Sequence, residues 1–359
     1  MNIRINIPAV ALFTAAAAGC EQSPVRALPA ESPAAALIAT DGGAPIYGGT
    51  QNDYQPSLIR TADGRLMIVL ERLAARTNSG DLYVSTSSDG GASWSVPAMI
   101  VGNSKLNERH PSLVQHASGG YSLFYLVADT KGAYSIHRAT SANGTAWTQH
   151  GAINLGWGTA GDMNPSVIIE GDGSLTMTYQ RSNGSAYVGY IARSTDGGAT
   201  WDALRTTVSD GASGMLPRVA KRASDGLYMV TFQATGPGGL MAIYAKTSAN
   251  PYSWSVPRAP VSEGENAHDS QPIVLEDGRF FVTYGAVRSA AGFNLYSRTT
   301  TDGAAWNAPV QLTTDSNLYD VQPHPILHGT PGHVILSWGR QRAAGSDYDI
   351  WVNRDLTVQ

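Results

Sequence analysis

Short apolar runs recur along most of the chain, and turn-forming residues separate them. In one repeat, the apolar segment Ser57–Ile59 is followed by a turn at Asp63-Gly64 and then by the run Leu66–Leu70. A third run follows at Asp81–Ser85. Runs of this length, bounded by Gly-containing turns, are typical of short β-strands. No segment keeps a helical periodicity over a dozen residues, so the pattern predicts an all-β protein.

Five tryptophans recur in similar surroundings, at intervals of 53, 54, 53 and 52 residues: Trp94, Trp147, Trp201, Trp254 and Trp306. A Ser/Thr-x-Asp/Asn turn precedes each of them. The turns are Ser87–Trp94, Ser141–Trp147, Ser194–Trp201, Ser248–Trp254 and Thr300–Trp306. Self-similarity at a fixed period of about 50 residues indicates a repeat architecture.

A second marker, a polar residue or Leu followed by Pro, recurs out of phase with the tryptophans. It occurs at Gln55-Pro56, His110-Pro111, Asn164-Pro165, Leu216-Pro217, Gln271-Pro272 and Gln322-Pro323. Six markers indicate six units, and each unit has room for four short strands. The sequence therefore predicts a six-bladed β-propeller.

The sixth unit contains no Trp turn and no fourth strand before the last residue, Gln359. A spare apolar run, Ala36–Thr40, precedes the first unit. We expect this N-terminal run to supply the missing outer strand of the last blade, because an open ring would expose sheet edges.

The Trp turns resemble the Asp-box, or BNR, repeats of sialidases and related propellers, and the resemblance covers about residues 45–355. It implies a sialidase-like propeller in which the Trp turns are structural. It also implies a central pocket on the opposite face, where the innermost strand of each unit begins.

Polar residues at these strand starts, and at the ends of the second strands, are the candidate site. The candidate catalytic residues are Asp53, Glu71, His110, Asp162 and Asp269. The candidate substrate-binding residues are Gln55, Arg72, Asn164, Tyr179, Arg181, Arg218, Gln271 and Arg340. Paired carboxyls suit glycosidic cleavage, and the guanidinium fork of Arg suits a substrate carboxylate. The acids could instead cap backbone N–H groups, and Tyr179 could pack between blades.

A glycoside hydrolase acting on an extracellular or envelope glycan is the favoured function. Sialidase activity itself is not predicted, for two reasons. Gln55 stands where the sialidase family has an Arg, and the loop Leu73–Gly80, where the family has its acid Asp, contains no Asp. A polysaccharide lyase acting on a uronate-containing glycan is one alternative, with His110 and Arg218 among its residues. A non-catalytic propeller that binds glycans or proteins is another.

Composition narrows the range of partners. The chain of 359 residues is 42% hydrophobic and 14% charged, with a net charge of −4 and one cysteine. An excess of negative charge argues against nucleic-acid binding, and a single cysteine excludes an internal disulfide. No phosphate-binding or zinc-binding motif occurs. We predict a monomer whose partner is a carbohydrate, with no cofactor and no metal site.

The N-terminal residues predict export. A basic start, Met1–Arg4, precedes an apolar stretch, Ile5–Ala18, which is shorter than the about 20 residues that span a bilayer. The sequence Ala17-Ala18-Gly19-Cys20 resembles a bacterial lipobox, which implies cleavage before Cys20 and lipidation of its thiol. We predict a signal peptide at 1–19, a tether at 20–35 and a propeller at 36–359, lipid-anchored in the cell envelope and facing the periplasm or the cell surface. A plain secretory signal is the alternative.

Overall fold

The structure is a computed structural model. It describes residues 36–37, 42–47, 51–74, 79–103, 105–209, 214–287, 292–314, 318–343 and 347–359. The predicted signal peptide, Cys20 and the tether lie outside this range. No helix in the described part of the chain is long and apolar enough to cross a membrane.

The described secondary structure is almost entirely β. The strands are β1 Ala36–Leu37, β2 Ala44–Pro45, β3 Asn52–Arg60, β4 Leu66–Leu73, β5 Gly80–Ser87, β6 Ala98–Val101, β7 Asn107–Gln115, β8 Tyr121–Ala128, β9 Tyr134–Ser141, β10 Thr148–Ala152, β11 Asp162–Ile169, β12 Leu175–Ser182, β13 Tyr187–Ser194, β14 Thr206–Thr207, β15 Met215–Lys221, β16 Tyr228–Thr235, β17 Met241–Ser248, β18 Ala259–Pro260, β19 Asn266–Val274, β20 Phe280–Val287, β21 Asn294–Thr300, β22 Val310–Gln311, β23 Asp320–Leu327, β24 His333–Gln341 and β25 Tyr348–Thr357. One 3-10 turn, Pro237–Gly239, lies between β16 and β17.

These strands form six sheets, which are the six predicted blades. In order from the axis outward, the blades are β3-β4-β5-β6, β7-β8-β9-β10, β11-β12-β13-β14, β15-β16-β17-β18, β19-β20-β21-β22-β1 and β23-β24-β25-β2. The innermost strands contact one another in sequence around a ring, and β23 contacts β3 to complete it. The predicted six-bladed propeller is therefore confirmed.

The last blade is closed by an N-terminal strand, as expected, but by a different segment. Ala44–Pro45 pairs antiparallel with β25 and takes the outer position. The predicted segment begins instead with Ala36–Leu37, which pairs parallel with β22 on the fifth blade, and residues 38–40 lie outside the described range. The prediction chose the wrong segment because it looked for an apolar run. The strand β2 is only two residues long, follows Gly42 and Gly43, and is held by backbone pairing.

The core lies between the blades. An aromatic residue stands at the same place in five of the second strands and is at most 1% exposed: Tyr125, Tyr179, Phe232, Tyr284 and Trp338. Blades also contact through their Trp turns, as where Trp201 packs edge-on against Phe124 of the preceding blade, with ring centroids 5.5 Å apart. Burial of each such side chain contributes about 1.5–3 kcal/mol.

The Trp turns connect the third strand to the fourth in the first five blades. In the first, the Ser87 hydroxyl donates to Asp89 Oδ1 at 2.7 Å and accepts the Gly91 N–H at 2.8 Å. Trp94 Nε1 then donates to the Gly91 carbonyl at 3.2 Å. The same bonds recur around Trp201, so the structural role that the resemblance implies for these turns fits their contacts. We call their side of the propeller the Trp-turn face.

A β-bulge interrupts every innermost strand near its start. In the first blade, Gln55 and Pro56 together face one residue of β4, because the register shifts between Tyr54 and Ser57. The first residue of each bulge has a left-handed φ of 47–56°, which is uncommon outside glycine: Gln55, His110, Asn164, Leu216, Asp269 and Gln322. We call these six residues the bulge ring and their side of the propeller the bulge face.

Candidate functional site

The bulge face brings most of the predicted site residues to one side of the propeller, but it divides them into two sets. One set pairs within or between blades away from the axis. The other set surrounds the axis itself. This difference decides which side chains are available to a ligand.

Three acids at the strand starts are each paired with an arginine directly across the sheet. Asp53 accepts two hydrogen bonds from Arg72, at 2.7 and 2.8 Å. Asp162 Oδ1 lies 2.8 Å from Arg181 Nη1. These acids therefore have a structural partner of opposite charge, which differs from the predicted capping of backbone N–H groups.

The sixth blade repeats this pairing more deeply in the core. Arg340 donates to both Asp320 oxygens, at 2.6 and 2.7 Å, and Trp338 Nε1 adds a third bond at 3.0 Å. Such charge-assisted, two-pronged pairs are among the strongest side-chain hydrogen bonds.

The three paired arginines also stack on nearby aromatic rings. The guanidinium carbon is 4.6 Å from the Tyr83 ring centre for Arg72, 5.1 Å from Trp157 for Arg181 and 4.7 Å from Trp351 for Arg340. The predicted convergence of Arg72, Arg181 and Arg340 on one substrate carboxylate is therefore corrected. Each is held by an acid of its own blade and by an aromatic ring, which for Arg181 is Trp157 in the connection between β10 and β11.

Glu71 lies fully buried at the end of β4 and contacts the second blade. Its Oε1 accepts from Arg109 Nε at 2.6 Å, and its Oε2 accepts the backbone N–H of His110 at 3.4 Å. Burial raises the pKa of Glu71, and the Arg109 guanidinium opposes that change. With both oxygens engaged, Glu71 acts as a link between blades.

Tyr179 does not reach a ligand site. Its ring is fully buried and stacks on Tyr190, with centroids 5.5 Å apart, while its hydroxyl accepts from Trp157 Nε1 at 3.2 Å. Burial leaves no face of the ring for a sugar, so the prediction that Tyr179 binds substrate is corrected in favour of packing between blades.

The bulge ring is held together by hydrogen bonds from one blade to the next. The N–H of Leu216 donates to Gln180 Oε1 at 2.6 Å, and that of Asp269 donates to Gln233 Oε1 at 3.1 Å. The N–H of Gln55 donates to Gln322 Oε1 at 2.9 Å and closes the circle between the last and first blades. These bonds satisfy buried backbone donors, which a folded chain must do.

Asp269 and Gln271 show that the fifth sequence marker is displaced. The register of the fifth blade shifts between His268 and Gln271, so Asp269 and Ser270 form its bulge. Asp269 is therefore the counterpart of Gln55 and faces the axis, and Gln271 follows the bulge. In the other five blades, Pro is the second residue of the bulge. In the fifth blade Ser270 takes that position, so Pro272 does not mark the bulge.

The predicted residues that do meet enclose a small cavity on the axis, of about 50 Å³. It is lined by part of the bulge ring and by the residue two places further along each innermost strand, which we call the second ring. The second ring is Ser57, Ser112, Ser166, Arg218, Gln271 and His324, and the bulge-ring residues at the cavity are Gln55, His110, Asp269 and Gln322. Arg218 Nη1 also donates to the Asn164 carbonyl at 3.3 Å.

Burial controls the charges in this cavity. It lowers the pKa of Arg218 to about 10, and the Asp269 carboxylate opposes that change. It raises the pKa of Asp269 to about 6, against the effects of Arg218 and the Gln322 N–H. Burial and the neighbouring arginines hold the pKa of His110 well below its usual range, so its imidazole is neutral at neutral pH.

The axial cavity is too small for a sugar. Ligand pockets for small organic molecules are usually about 300–1,000 Å³. Five of the six second-ring residues, all except Arg218, also lie at the inner end of a funnel of about 950 Å³. This funnel opens on the Trp-turn face and is walled by the C-terminal halves of the innermost strands. An ion or water molecule can therefore be accommodated at the axis, whereas a monosaccharide cannot.

Glu108, which the sequence also offers as a candidate for the carboxyl pair, is a fourth acid at a strand start on the bulge face. It is the counterpart of Asp53 and Asp162 in the second blade, but its cross-strand partner is Val127 instead of an arginine. It is 1% exposed, its Oε2 has no hydrogen-bond partner, and it forms no ion pair among the described residues. Burial, with help from the Asp81 carboxylate, raises its pKa to about 7.

The Asp81 carboxylate lies near enough to Glu108 to raise its pKa, and we call these two acids the Glu108–Asp81 pair. Asp81 is the second residue of β5, and burial raises its pKa, against a hydrogen bond from the Asn103 backbone. The start of β5 lies against the start of β7, since the Gly80 N–H donates to Asn107 Oδ1 at 2.7 Å. The absence of a basic residue at position 127, opposite Glu108, is the sequence signal that distinguishes this acid from the other three.

The fold and these contacts define a propeller built from Trp-turn repeats, and residues 51–216 match the BNR repeat-like domain family. The predicted resemblance is confirmed in the BNR repeat-like domain over residues 51–216 and in the six-bladed propeller fold that the chain shares with sialidases. No curated protein matches the chain in sequence.

Solved structures share the fold at low sequence identity. A protein of unknown function from Dyadobacter fermentans has a TM-score of 0.74 and 16% identity, over 89% of this chain and 98% of that one. The NanB sialidase of Streptococcus pneumoniae has a TM-score of 0.67 and 12% identity, over 87% and 70%. An alpha-L-arabinofuranosidase of Fusarium graminearum, in complex with arabinobiose, has a TM-score of 0.66 and 14% identity, over 87% and 97%.

Proposed function

We propose that this protein is a glycoside hydrolase of the cell envelope, acting on an extracellular or envelope glycan. Solved structures that share its fold include sialidases, an arabinanase and arabinofuranosidases. The observation that carries the proposal is the Glu108–Asp81 pair on the bulge face, because glycosidic cleavage uses two carboxyl groups of unequal acidity.

In this proposal Glu108 is the general acid. A carboxyl with a pKa of about 7 still holds its proton near neutral pH and can transfer it to a leaving sugar oxygen. Its burial is what raises the pKa, as in other enzymes that use a carboxylic acid in this role. Asp81 is the second carboxyl, and it acts in its ionised form as base or nucleophile.

The other acids on this face are less suited to the reaction. Asp53 and Asp162 are neutralised by arginines, and Glu71 is engaged by Arg109 and the His110 backbone. At Glu71 and Asp162 the guanidinium favours the charged form and opposes the rise in pKa that burial causes, whereas no arginine opposes burial at Glu108.

The proposal is tested by incubating the protein with arabinans, sialylated glycans and uronate-containing glycans and measuring new reducing ends. Glu108→Gln should lower kcat on the hydrolysed glycan by about 10²–10⁴-fold, the usual worth of a general acid. It should also remove the fall in rate as the pH rises through about 7. Glu276→Gln, at an exposed carboxyl on the Trp-turn face, is the control and should retain full activity.

Other outcomes contradict the proposal in different ways. Unchanged turnover in Glu108→Gln would exclude Glu108 as the acid. Ultraviolet absorbance of unsaturated uronates would identify elimination instead of hydrolysis. Retention on a glycan column with no product from any glycan would identify a binding protein.

We further propose that the protein reaches the envelope as a lipoprotein anchored through Cys20. The basic start, the apolar stretch and the Ala17-Ala18-Gly19-Cys20 sequence support this proposal. Expression with a radiolabelled fatty acid should label the wild-type protein in the membrane fraction, and Cys20→Ser should be unlabelled and soluble. Membrane association of Cys20→Ser would reject the anchor.

A further inference from the structure

Several hydrogen-bond donors line the axial cavity. Arg218 is partly buried there, and of its five N–H groups only one on Nη1 has an acceptor among the described residues, the Asn164 backbone carbonyl. Its remaining donors are therefore available to an acceptor in the cavity.

The two histidines at the cavity also present donors. The Leu58 N–H donates to His324 Nδ1 at 3.4 Å, which places the proton of the neutral ring on Nε2. The Gln55 amide nitrogen, as assigned, donates to His110 Nε2 at 3.0 Å, which places the His110 proton on Nδ1. That Nδ1 is buried without a partner, in a residue that is 8% exposed.

The serines of the second ring add hydroxyl donors. Ser57 Oγ accepts the Leu113 N–H at 3.0 Å, and Ser112 Oγ accepts the Val167 N–H at 2.9 Å. Because each hydroxyl oxygen is already an acceptor, its hydrogen is available to donate into the cavity. Two hydroxyls, two imidazole N–H groups and a guanidinium therefore surround one space.

Acceptors also line this space. They include the Asp269 carboxylate, which accepts from the Gln322 N–H, Gln55 Oε1, which is buried without a partner, and the amide oxygen of Gln271. Arg218 and Asp269 lie near enough for each to shift the other's pKa, yet no direct ion pair joins them in the described part of the chain. The space between them remains to be filled.

We propose that the hub of the propeller is a binding site for one small monovalent anion of about the size of chloride, held by Arg218, His110 and the donors of the second ring. An anion site needs hydrogen-bond donors and a positive charge around a cavity. The cavity of about 50 Å³ can hold such an ion, since a water molecule needs about 10–15 Å³ by the same measure. The funnel on the Trp-turn face leads to the second ring and provides the route of entry.

This site is separate from the Glu108–Asp81 pair. The anion would link side chains from four or more blades at the one place where all six meet, so its binding stabilises the closed ring. Asp269 opposes binding, because its carboxylate is a like charge beside the ion.

The experiment uses the full-length protein and bromide as the probe. The thermal midpoint is measured as sodium bromide replaces sodium methanesulfonate at constant ionic strength, because an ion that binds only the folded state raises the midpoint with a saturable dependence. We expect a saturable rise, and we expect an anomalous bromide peak beside Arg218 in crystals grown with bromide. Absence of both would show that ordered water fills the hub and would overturn the proposal.

Three variants sharpen the result. Arg218→Met should lose the bromide response, while Arg65→Met, at an exposed arginine that pairs with Asp63 on the surface, should keep it. Asp269→Asn should bind bromide about tenfold more tightly, since removing a nearby like charge commonly changes an equilibrium by this factor or more. Equal responses in the wild type and Arg218→Met would overturn the proposal. If Arg218→Met does not fold, the anomalous peak in the wild type and the affinity of Asp269→Asn decide it.

Discussion

Carboxylates that the sequence places at equivalent positions differ in chemistry because their neighbours differ. Asp320 is fully buried and is held by Arg340 and Trp338. Asp53 has the same partner type at a more exposed arginine. Glu108 has no basic partner among the described residues, so burial acts on it unopposed by an arginine. The residue across the sheet makes the difference. Val127 lies opposite Glu108, whereas an arginine lies opposite each of the other three acids.

The raised pKa of Glu108 predicts a pH-dependent stability. Its folded-state pKa of about 7 exceeds its ordinary value of 4.5, so between these pH values the folded chain keeps a proton that the unfolded chain releases. The contribution of Glu108 to the free energy of unfolding therefore falls as the pH rises from about 4.5 to 7. Glu108→Gln, which resembles the protonated acid, should gain stability relative to the wild type as the pH rises. Thermal midpoints of both proteins between pH 4.5 and 8 provide the measurement.

The histidines at the axial cavity change the stability with pH in the opposite direction to Glu108. They do not affect the comparison between the wild type and Glu108→Gln. Burial lowers the pKa of His324 to about 4, and His110 is lowered as well, so both favour the folded state as the pH rises towards 6.5. Their effect is common to the wild type and the variant and cancels in the difference. Parallel midpoint curves would contradict the prediction. Glu276→Gln, at an exposed carboxyl, should give parallel curves.

Among the elements, the Trp turns could be located from sequence and the bulges could not. The turns depend on local bonds, such as that from Ser194 Oγ to Asp196 at 2.8 Å, so the residues that form them recur at fixed spacing. The bulges depend on contacts between blades, and Pro marks only five of them. In the fifth blade Ser270 occupies that position, and its hydroxyl bonds to Thr231 of the fourth blade at 2.9 Å.

Two neighbouring glycines in one Trp turn give a test of this local design. Gly197 and Gly198 both have left-handed φ values, of +69° and +87°. A Cβ on Gly197 would make only ordinary contact with His116, whereas a Cβ on Gly198 would overlap the Phe124 ring of the preceding blade. Gly197→Ala should therefore cost about 1–2 kcal/mol for its backbone conformation.

Gly198→Ala should cost more than its neighbour. The same conformational strain applies, and overpacking against Phe124 adds about 1–3 kcal/mol. Urea unfolding of the two variants measures the difference. Equal losses of unfolding free energy in the two variants would show that the turn does not pack tightly against the second blade. That result would contradict the contact between Phe124 and Trp201.

In the molecule as a whole, stability depends on closing a ring whose first and last strands are far apart in sequence. β2 joins β25 through two residue pairs, and the Ile46 N–H donates to the Ile350 carbonyl at 2.9 Å. Ile46 is 7% exposed and packs in the cluster that contains Leu58 and Ile335. The segment 44–46 therefore joins the sixth blade to the core it shares with the first.

Truncation tests this closure. A chain that begins at residue 42 keeps β2 and loses only β1 of the described strands, so its thermal midpoint should stay close to that of the full chain. A chain that begins at residue 51 loses β2 and Ile46. It should unfold at a lower temperature and aggregate as its concentration rises, because the edge of β25 is then unpaired. Ile46→Ala keeps the strand but leaves a cavity, which costs about 2–5 kcal/mol. The chain beginning at 51 should lose more stability than Ile46→Ala, since it lacks the backbone bonds as well. If the chains beginning at 42 and 51 unfold at the same temperature, the ring does not depend on β2 and closure rests on the contact between β23 and β3 alone.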